Sequence, residues 1–341
     1  MTGIHAGSEI HTGHRGALWT LLAVLLAVGV YAAVSLGGGG TQPASVARPG
    51  KTNHPASGFG GPASASTASL KPAPPAAPPP PRLLVRAPAH LGSQWSVVAE
   101  VHGAPAAWAA QRRGATLMRF DQSVLRLDIH AGSSDGGVAG WRYGDRVSAS
   151  EIHSLVAGFN GAFKLTYRDV GLLAGHHVAV PLKAGLASIV TYTDGTADVG
   201  AWRAGVPSGA RSVYAVLQNQ HLLVDRGRAV ASAASCGQAC WGETLGSITR
   251  TARSGLGVTG TGQLVWAAGE QLSPAGLADA LVAAGAVRAL ELDINPYWVA
   301  GYLYPHHPSG PVPAPVLPGQ HGIAGELLEA DARDFLTVVA R

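Results

Sequence analysis

The residues best suited to chemistry cluster in the stretch 253–299, which opens on Arg253 and closes a strand-forming run with two carboxylates, Glu291 and Asp293. Side chains two apart on a strand point to one face. The spacing therefore predicts that both acids stand together where the chain breaks at Asn295-Pro296. Paired acids at a strand end are raw material for acid–base or glycosyl chemistry. A solvated strand end is the plain alternative. The guanidinium fork of Arg253 suits a phosphate or carboxylate, or an ordinary surface salt bridge. Asn160-Gly161 follows the apolar run 155–159 and reads as a hairpin turn or as a polar group beside a site. His176-His177 and His306-His307 have no third ligand at helical spacing, so they read as loop histidines. No metal site or cofactor is assigned, and the need for a divalent ion stays open. Neither a G-x-S-x-G elbow nor a GKS or GKT phosphate loop occurs, which removes two common hydrolase and nucleotide-binding explanations.

The elements that must position these residues are mostly strands. Short apolar runs bounded by Gly, Asp and Ser predict strands at 95–101, 123–129, 155–159, 187–192, 197–202, 212–218, 221–224, 255–259, 263–267, 286–293 and 335–340. Hairpin signals fall at Asp194-Gly195, at 218–220 and at 259–262. Helices are predicted at 106–113, 150–156 and 273–284. In the last, Ser273 caps, Pro274 takes the first position and Gly285 stops the helix, with Leu277 and Leu281 on one face. Many strands and few helices predict an α+β domain with a large mixed, mostly antiparallel sheet and a few packed helices.

The chain has 341 residues, of which 46 are glycine and 23 proline, and only 13% are charged. The run 17–36 carries no charge and, at ~1.5 Å per residue, is about 30 Å long, the thickness of a bilayer core. It is expected to be a single-pass signal anchor, after a short cytoplasmic stretch 1–16, with the C-terminal domain outside the cell membrane. A cleaved signal peptide is the alternative. Residues 37–82 are Gly-, Pro- and Ala-rich with few large apolar side chains, which predicts a disordered stalk. The folded domain is then 83–341. Cys236 and Cys240 read as a loop-shaping disulfide in an extracytoplasmic setting, with a redox or metal pair as the alternative. Net charge is +4 without a basic cluster, so nucleic acid is not an expected partner.

Several of these elements together resemble the phosphodiester glycosidase family. FNGAF at 159–163, Arg253 with SGLGVT and the following GQLVWAAGE, and the helix-to-strand run GLADALVAAGAVRALELD at 276–293 occur in the family's order. The likeness covers roughly 120–340, and WGETLG, ELDIN and PGQHG give it an actinobacterial cast. The resemblance implies a hydrolase that cleaves the anomeric C–O bond of a sugar 1-phosphodiester in a cell-envelope or exopolysaccharide glycan. It assigns Asp293 as nucleophile or base, Arg253 to the phosphate, and Asn160, with Gly161 and Phe163 of its motif, to substrate contacts. Glu291 stands where the family has Asn and would be a second acid. The family's glycine-rich loop after Asp293 is replaced by Ile-Asn-Pro-Tyr-Trp-Val, whose Asn295 and Trp298 suit contacts to a sugar ring. A non-catalytic glycan-binding or envelope-assembly module is the alternative implied by that replacement.

Overall fold

Short apolar runs bounded by turn residues recur from Leu83 onward, and the computed structural model is accordingly built from strands. It describes residues 81–134, 144–175, 177–322 and 327–341. The expected span 17–36, nearly all of the stalk 37–82 and His176 lie outside them. Among the described residues no helix is long and apolar enough to cross a membrane.

In chain order the strands begin β1 (Leu83–Val85), β2 (Ser96–Val101), β3 (Ala104–Arg112), β4 (Ala115–Phe120), β5 (Leu125–His130), β6 (Leu155–Asn160) and β7 (Val170–Ala174). They continue β8 (His177–Val180), β9 (Ala187–Tyr192), β10 (Ala197–Ala201), β11 (Val213–Asn219), β12 (Leu222–Asp225), β13 (Arg228–Ala229) and β14 (Thr251–Thr259). The last are β15 (Leu264–Leu272), β16 (Ala286–Ile294), β17 (Gly301–Leu303), β18 (His306–His307), β19 (Gly310–Pro311), β20 (Ala314–Pro315) and β21 (Phe335–Ala340). The described α-helices are α1 (Ser232–Ser235), α2 (Gln238–Trp241) and α3 (Pro274–Ala283).

Nine strands form one sheet in the order β1-β2-β3-β4-β15-β14-β16-β12-β13. Two five-stranded sheets follow the orders β10-β9-β11-β7-β8 and β20-β17-β6-β21-β5. Every ladder between described strands is antiparallel. The α+β expectation holds in that sense, with the strands divided among separate sheets. The main core joins Met118, Phe120, Leu256, Trp266 and Leu290 of the nine-stranded sheet to Phe159, Leu172, Ile189, Leu217 and Leu336 of the smaller ones. On the opposite face, α3 buries Leu277 and Leu281 against Leu117, Val265 and Ala289.

Helix α3 is specified locally. The Ser273 side chain accepts from the Gly276 N–H at 3.1 Å, Pro274 opens the helix and Gly285 leaves it at φ 98°. The sheet beneath it is thinned by glycine. A Cβ on Gly255 would lie 3.0 Å from Leu281 and 2.8 Å from the Leu290 carbonyl, and one on Gly257 would lie 2.8 Å from the Ala289 Cβ. Gly255 lets helix and sheet approach closely, while Gly257 makes room for the neighbouring strand β16.

Three local expectations are corrected. Residues 106–113, alanine-rich and therefore helix-favouring, lie almost wholly in β3, where Ala106, Ala107, Ala109 and Ala110 are fully buried between β2 and β4. Tertiary burial overrides propensity there. The stretch 150–156 holds only a 3-10 turn, Ile152–Ser154, before β6 begins. Residues 218–220 are not a hairpin: the chain leaves one sheet at the end of β11 and enters another at β12. The turns at Gly195 and Gly262 do join paired strands, each glycine having the positive φ that the turn demands.

Candidate functional site

Strand β16 carries both predicted acids, but a bulge separates their surroundings. In the β14–β16 ladder Gly255 faces Glu291 and Arg253 faces Ile294, so β16 has one residue more than β14 across this interval. An extra residue breaks strict alternation and re-aims side chains. Glu291 therefore turns into the protein and is fully buried. Arg253 is also buried; its Nη1 donates to Glu291 Oε1 at 2.6 Å and to the Trp241 carbonyl at 3.1 Å, and its Nε donates to the Leu272 carbonyl at 3.2 Å. The second Glu291 oxygen, Oε2, has no hydrogen-bond partner among the described residues. Burial pushes the Glu291 carboxyl up to about 7 against the attraction of Arg253, and neighbouring Asp293 adds to the rise. Neither Arg253 nor Glu291 lines a described cavity at this end of the sheet. They form an internal ion pair that fixes the carbonyl of Trp241.

Asn160 is likewise committed inward. Its Nδ2 donates to Ser254 Oγ at 3.0 Å and the Gly161 carbonyl at 3.2 Å, and lies 3.4 Å from the Asp293 carbonyl. Its Oδ1 accepts from the Ala300 N–H at 3.2 Å. The amide thus ties the end of β6 to β14 and β16. Gly161 is a close crossing rather than a hairpin turn. The Asp293 N–H donates to its carbonyl at 2.8 Å, and a Cβ there would collide with the Asp334 carboxylate.

Of Asn160, Arg253, Glu291 and Asp293, it is Asp293 that lines a described cavity. It lines a cavity of about 210 Å³ with Phe163, Lys164, Tyr167, Glu243, Asn295, Trp298 and Arg333. Oδ2 accepts from Arg333 Nη2 at 2.9 Å and Oδ1 from the Ile294 N–H at 2.8 Å. Burial pushes its carboxyl up to about 6, opposed by Arg333, the Ile294 N–H and Lys164. Arg333 also donates to the Ala162 carbonyl at 3.0 Å and lies 5.1 Å from the Trp298 ring centroid. Phe163 is buried, with Tyr167 at 5.5 Å between ring centroids. Asn295, at φ 79°, uses its amide to hold the opposite wall, accepting from the Leu245 N–H at 3.1 Å and donating to the Glu243 carbonyl at 3.2 Å. Trp298 is exposed on the rim, and its neighbour Tyr297, also exposed, stacks on His321.

Lys164, Tyr167, Glu243 and Arg333 were not singled out by spacing. Lys164 directly follows the quoted stretch FNGAF and Glu243 sits inside WGETLG, while Arg333 precedes β21 with no local signal. Cys236 and Cys240 are joined in a disulfide with Cα atoms 5.8 Å apart. His306 Nε2 lies 2.7 Å from the Leu155 carbonyl oxygen, and His177 and His307 are exposed. Among the described residues no three His, Cys, Asp or Glu are grouped to hold a metal ion.

No protein-family model and no curated protein sequence matches the chain. Its fold is distantly similar to the catalytic domain of zebrafish N-acetylglucosamine-1-phosphodiester alpha-N-acetylglucosaminidase, auto-inhibited by its pro-peptide. That match has 11% identity and a TM-score of 0.42, over 69% of this chain and 78% of that one. A hypothetical protein from Synechocystis matches at 13% identity and a TM-score of 0.37, over 70% of this chain and 63% of that one. An exported protein from Burkholderia pseudomallei matches at 14% identity and a TM-score of 0.31, over 71% and 76%. At these identities and TM-scores the likenesses say nothing of this chain's chemistry.

Proposed function

We propose that the chain is a phosphodiester glycosidase-like hydrolase acting on a sugar 1-phosphodiester of an envelope or extracellular glycan. The observation that carries this reading is the Asp293 pocket: one carboxylate at the cavity wall, with Arg333 and Lys164 beside it and Trp298 at the rim. Cations suit a phosphodiester, and an aromatic face suits a sugar ring. With Asp293 as base, it takes a proton from water as the water oxygen bonds to the anomeric carbon. The bond from that carbon to the phosphate oxygen breaks, and the electron pair leaves on the phosphate, which needs no proton. Arg333 and Lys164 stabilise the charge that gathers there. With Asp293 as nucleophile, its own oxygen forms the first bond and water releases the sugar afterwards. Glu243, on the same cavity, replaces Glu291 as the second carboxylate of the site. Arg253 and Asn160 hold the frame instead of touching substrate.

A non-catalytic glycan-binding module is favoured by one observation, the direct Asp293–Arg333 pair, which engages the carboxylate. In either reading the uncharged run 17–36 would anchor the domain outside the membrane, in keeping with the disulfide. The test is release of nitrophenyl phosphate from a sugar 1-(4-nitrophenyl phosphate) by the full-length chain. The hydrolase reading expects turnover that falls by about 10²-fold or more in Asp293→Asn. Equal rates in the two proteins remove Asp293 from the mechanism, and no turnover in either favours the binding module.

A further inference from the structure

We propose that the larger cavity beside the Asp293 pocket is a second glycan subsite, holding a neutral sugar unit of an oligomeric substrate that runs past Asp293. What Asp293 does to that substrate rests on the hydrolase reading above; the binding itself does not. The Asp293 pocket, at about 210 Å³, is smaller than the ~300–1,000 Å³ of ordinary small-molecule sites. A sugar phosphodiester bearing both its substituents outgrows it. The neighbouring cavity measures about 750 Å³ and shares Tyr167, Gly242 and Glu243 with the pocket, so the two adjoin.

The walls of this cavity are fixed. On one side stand Thr166 and Arg168, and on the other Gln238 and Ser247. The disulfide Cys236–Cys240 closes the loop that carries Gln238. Arg168 Nη2 donates to the Ala239 carbonyl at 2.8 Å, joining the walls, and Gln238 Oε1 accepts from the Thr244 N–H at 3.4 Å. Gln220 supplies the polar group that points to a ligand. It is 3% exposed, and its backbone is pinned at φ 55° by bonds to Asp169 and Ala187. Gln220 lines the cavity, and none of the described hydrogen bonds uses its side-chain amide. An amide offers two donors and an acceptor, which matches neighbouring hydroxyls on a sugar ring. The Gln238 amide nitrogen and the Thr166 and Ser247 hydroxyls add further neutral groups. Arg168 is turned to the Ala239 carbonyl and Asp169, so the cavity recognises hydroxyls rather than a second phosphate.

The test compares two probes on the full-length chain: a hexose 1-(4-nitrophenyl phosphate), and an oligomer of at least three units of the same hexose joined through 1-phosphodiesters. The subsite predicts a KM about tenfold lower for the oligomer. Gln220→Asn, which keeps a residue tolerant of positive φ, and Gln238→Ala should each raise the oligomer KM several-fold and leave the short probe unchanged. Equal KM values for both probes, or variants that weaken both equally, overturn the subsite. If the wild-type chain cleaves neither probe, the hydrolase reading falls, and calorimetric binding to Asp293→Asn still decides the subsite. Oligomer binding about tenfold tighter than the monomer, lost in both variants, supports it; equal affinities overturn it.

Discussion

Replacing Arg333 by methionine should move the pH dependence of hydrolysis in a direction fixed by the structure. Arg333 Nη2 lies 2.9 Å from Asp293 Oδ2, with both side chains largely shielded, at 15% and 12% exposure. Two unit charges about 4 Å apart at an effective dielectric of about 20 attract by about 4 kcal/mol. One pKa unit corresponds to about 1.4 kcal/mol, so this pair alone is worth at most about three. Lys164 and the Ile294 N–H continue to favour the anion, which leaves a rise of about one to three. The Asp293 carboxyl titrates at about 6 in the intact site. Activity that needs the carboxylate therefore climbs through that pH, and about nine-tenths of the sites are ionised at pH 7. In Arg333→Met the acid limb of kcat/KM should move up by at least about one pH unit. At pH 7 the ionised fraction then falls to about half or less, and raising the pH restores it. Weaker phosphate binding would appear separately, as a loss that pH does not restore. Arg333→Lys keeps the charge and should keep the limb near 6. The assay is release of nitrophenyl phosphate from pH 4.5 to 9. An Arg333→Met limb that stays at 6 would show that the charge of Arg333 does not govern Asp293, and the assigned base would be wrong.

Two further predictions concern the frame. The Glu291 carboxyl is raised to about 7 in the folded chain from an ordinary 4.5, so the folded state holds its proton more firmly than the unfolded one. Its contribution is most favourable below about 4.5 and declines as pH rises to about 7. Urea midpoints should follow that decline in the wild type, while Glu291→Gln, which mimics the protonated carboxyl, should lack the slope; a wild-type midpoint that stays flat between about pH 4.5 and 7 contradicts the raised carboxyl. Asn160→Ala removes the clamp joining β6, β14 and β16 and leaves buried groups unpaired, at a cost of about 1–3 kcal/mol. It should lower the melting temperature in calorimetry; loss of activity with unchanged stability would instead make Asn160 a substrate contact.

Much of the fold was legible because strands buried on both faces read as short, nearly continuous apolar runs. The strands at 187–192 and 335–340 coincide with β9 and β21, and the caps of α3 are where Ser273 and Gly285 place them. The reading failed where one local preference had two uses. Alanines at 106–110 favour a helix in isolation, yet a small side chain buried on both faces suits a central strand equally well. Asn-Gln at 219–220 favours a turn, and the chain does turn there, but Asn219 spends its amide on Phe163 and on the Glu291 carbonyl. Its partners come from β16 and the segment after β6, not from a hairpin.

The site was legible to the extent that its chemistry lies on one strand. Asp293 could be found because an acid ending an apolar strand is conspicuous. Arg333 lies 40 residues further on, where nothing local marks it, since only the pairing of β21 with β6 brings it beside the end of β16. The error over Glu291 has a narrower cause. Equal roles for the two acids required unbroken alternation from 291 to 293, and the bulge opposite Arg253 removes it. Glycine often marks a bulge or a close approach within a strand, but here Gly255 serves the approach of α3 and Gly257 that of β16, and the bulged side, Glu291-Leu292-Asp293, contains none. The composition that makes β16 a good buried strand thus conceals the irregularity that sends one carboxylate to an internal arginine and the other to the cavity.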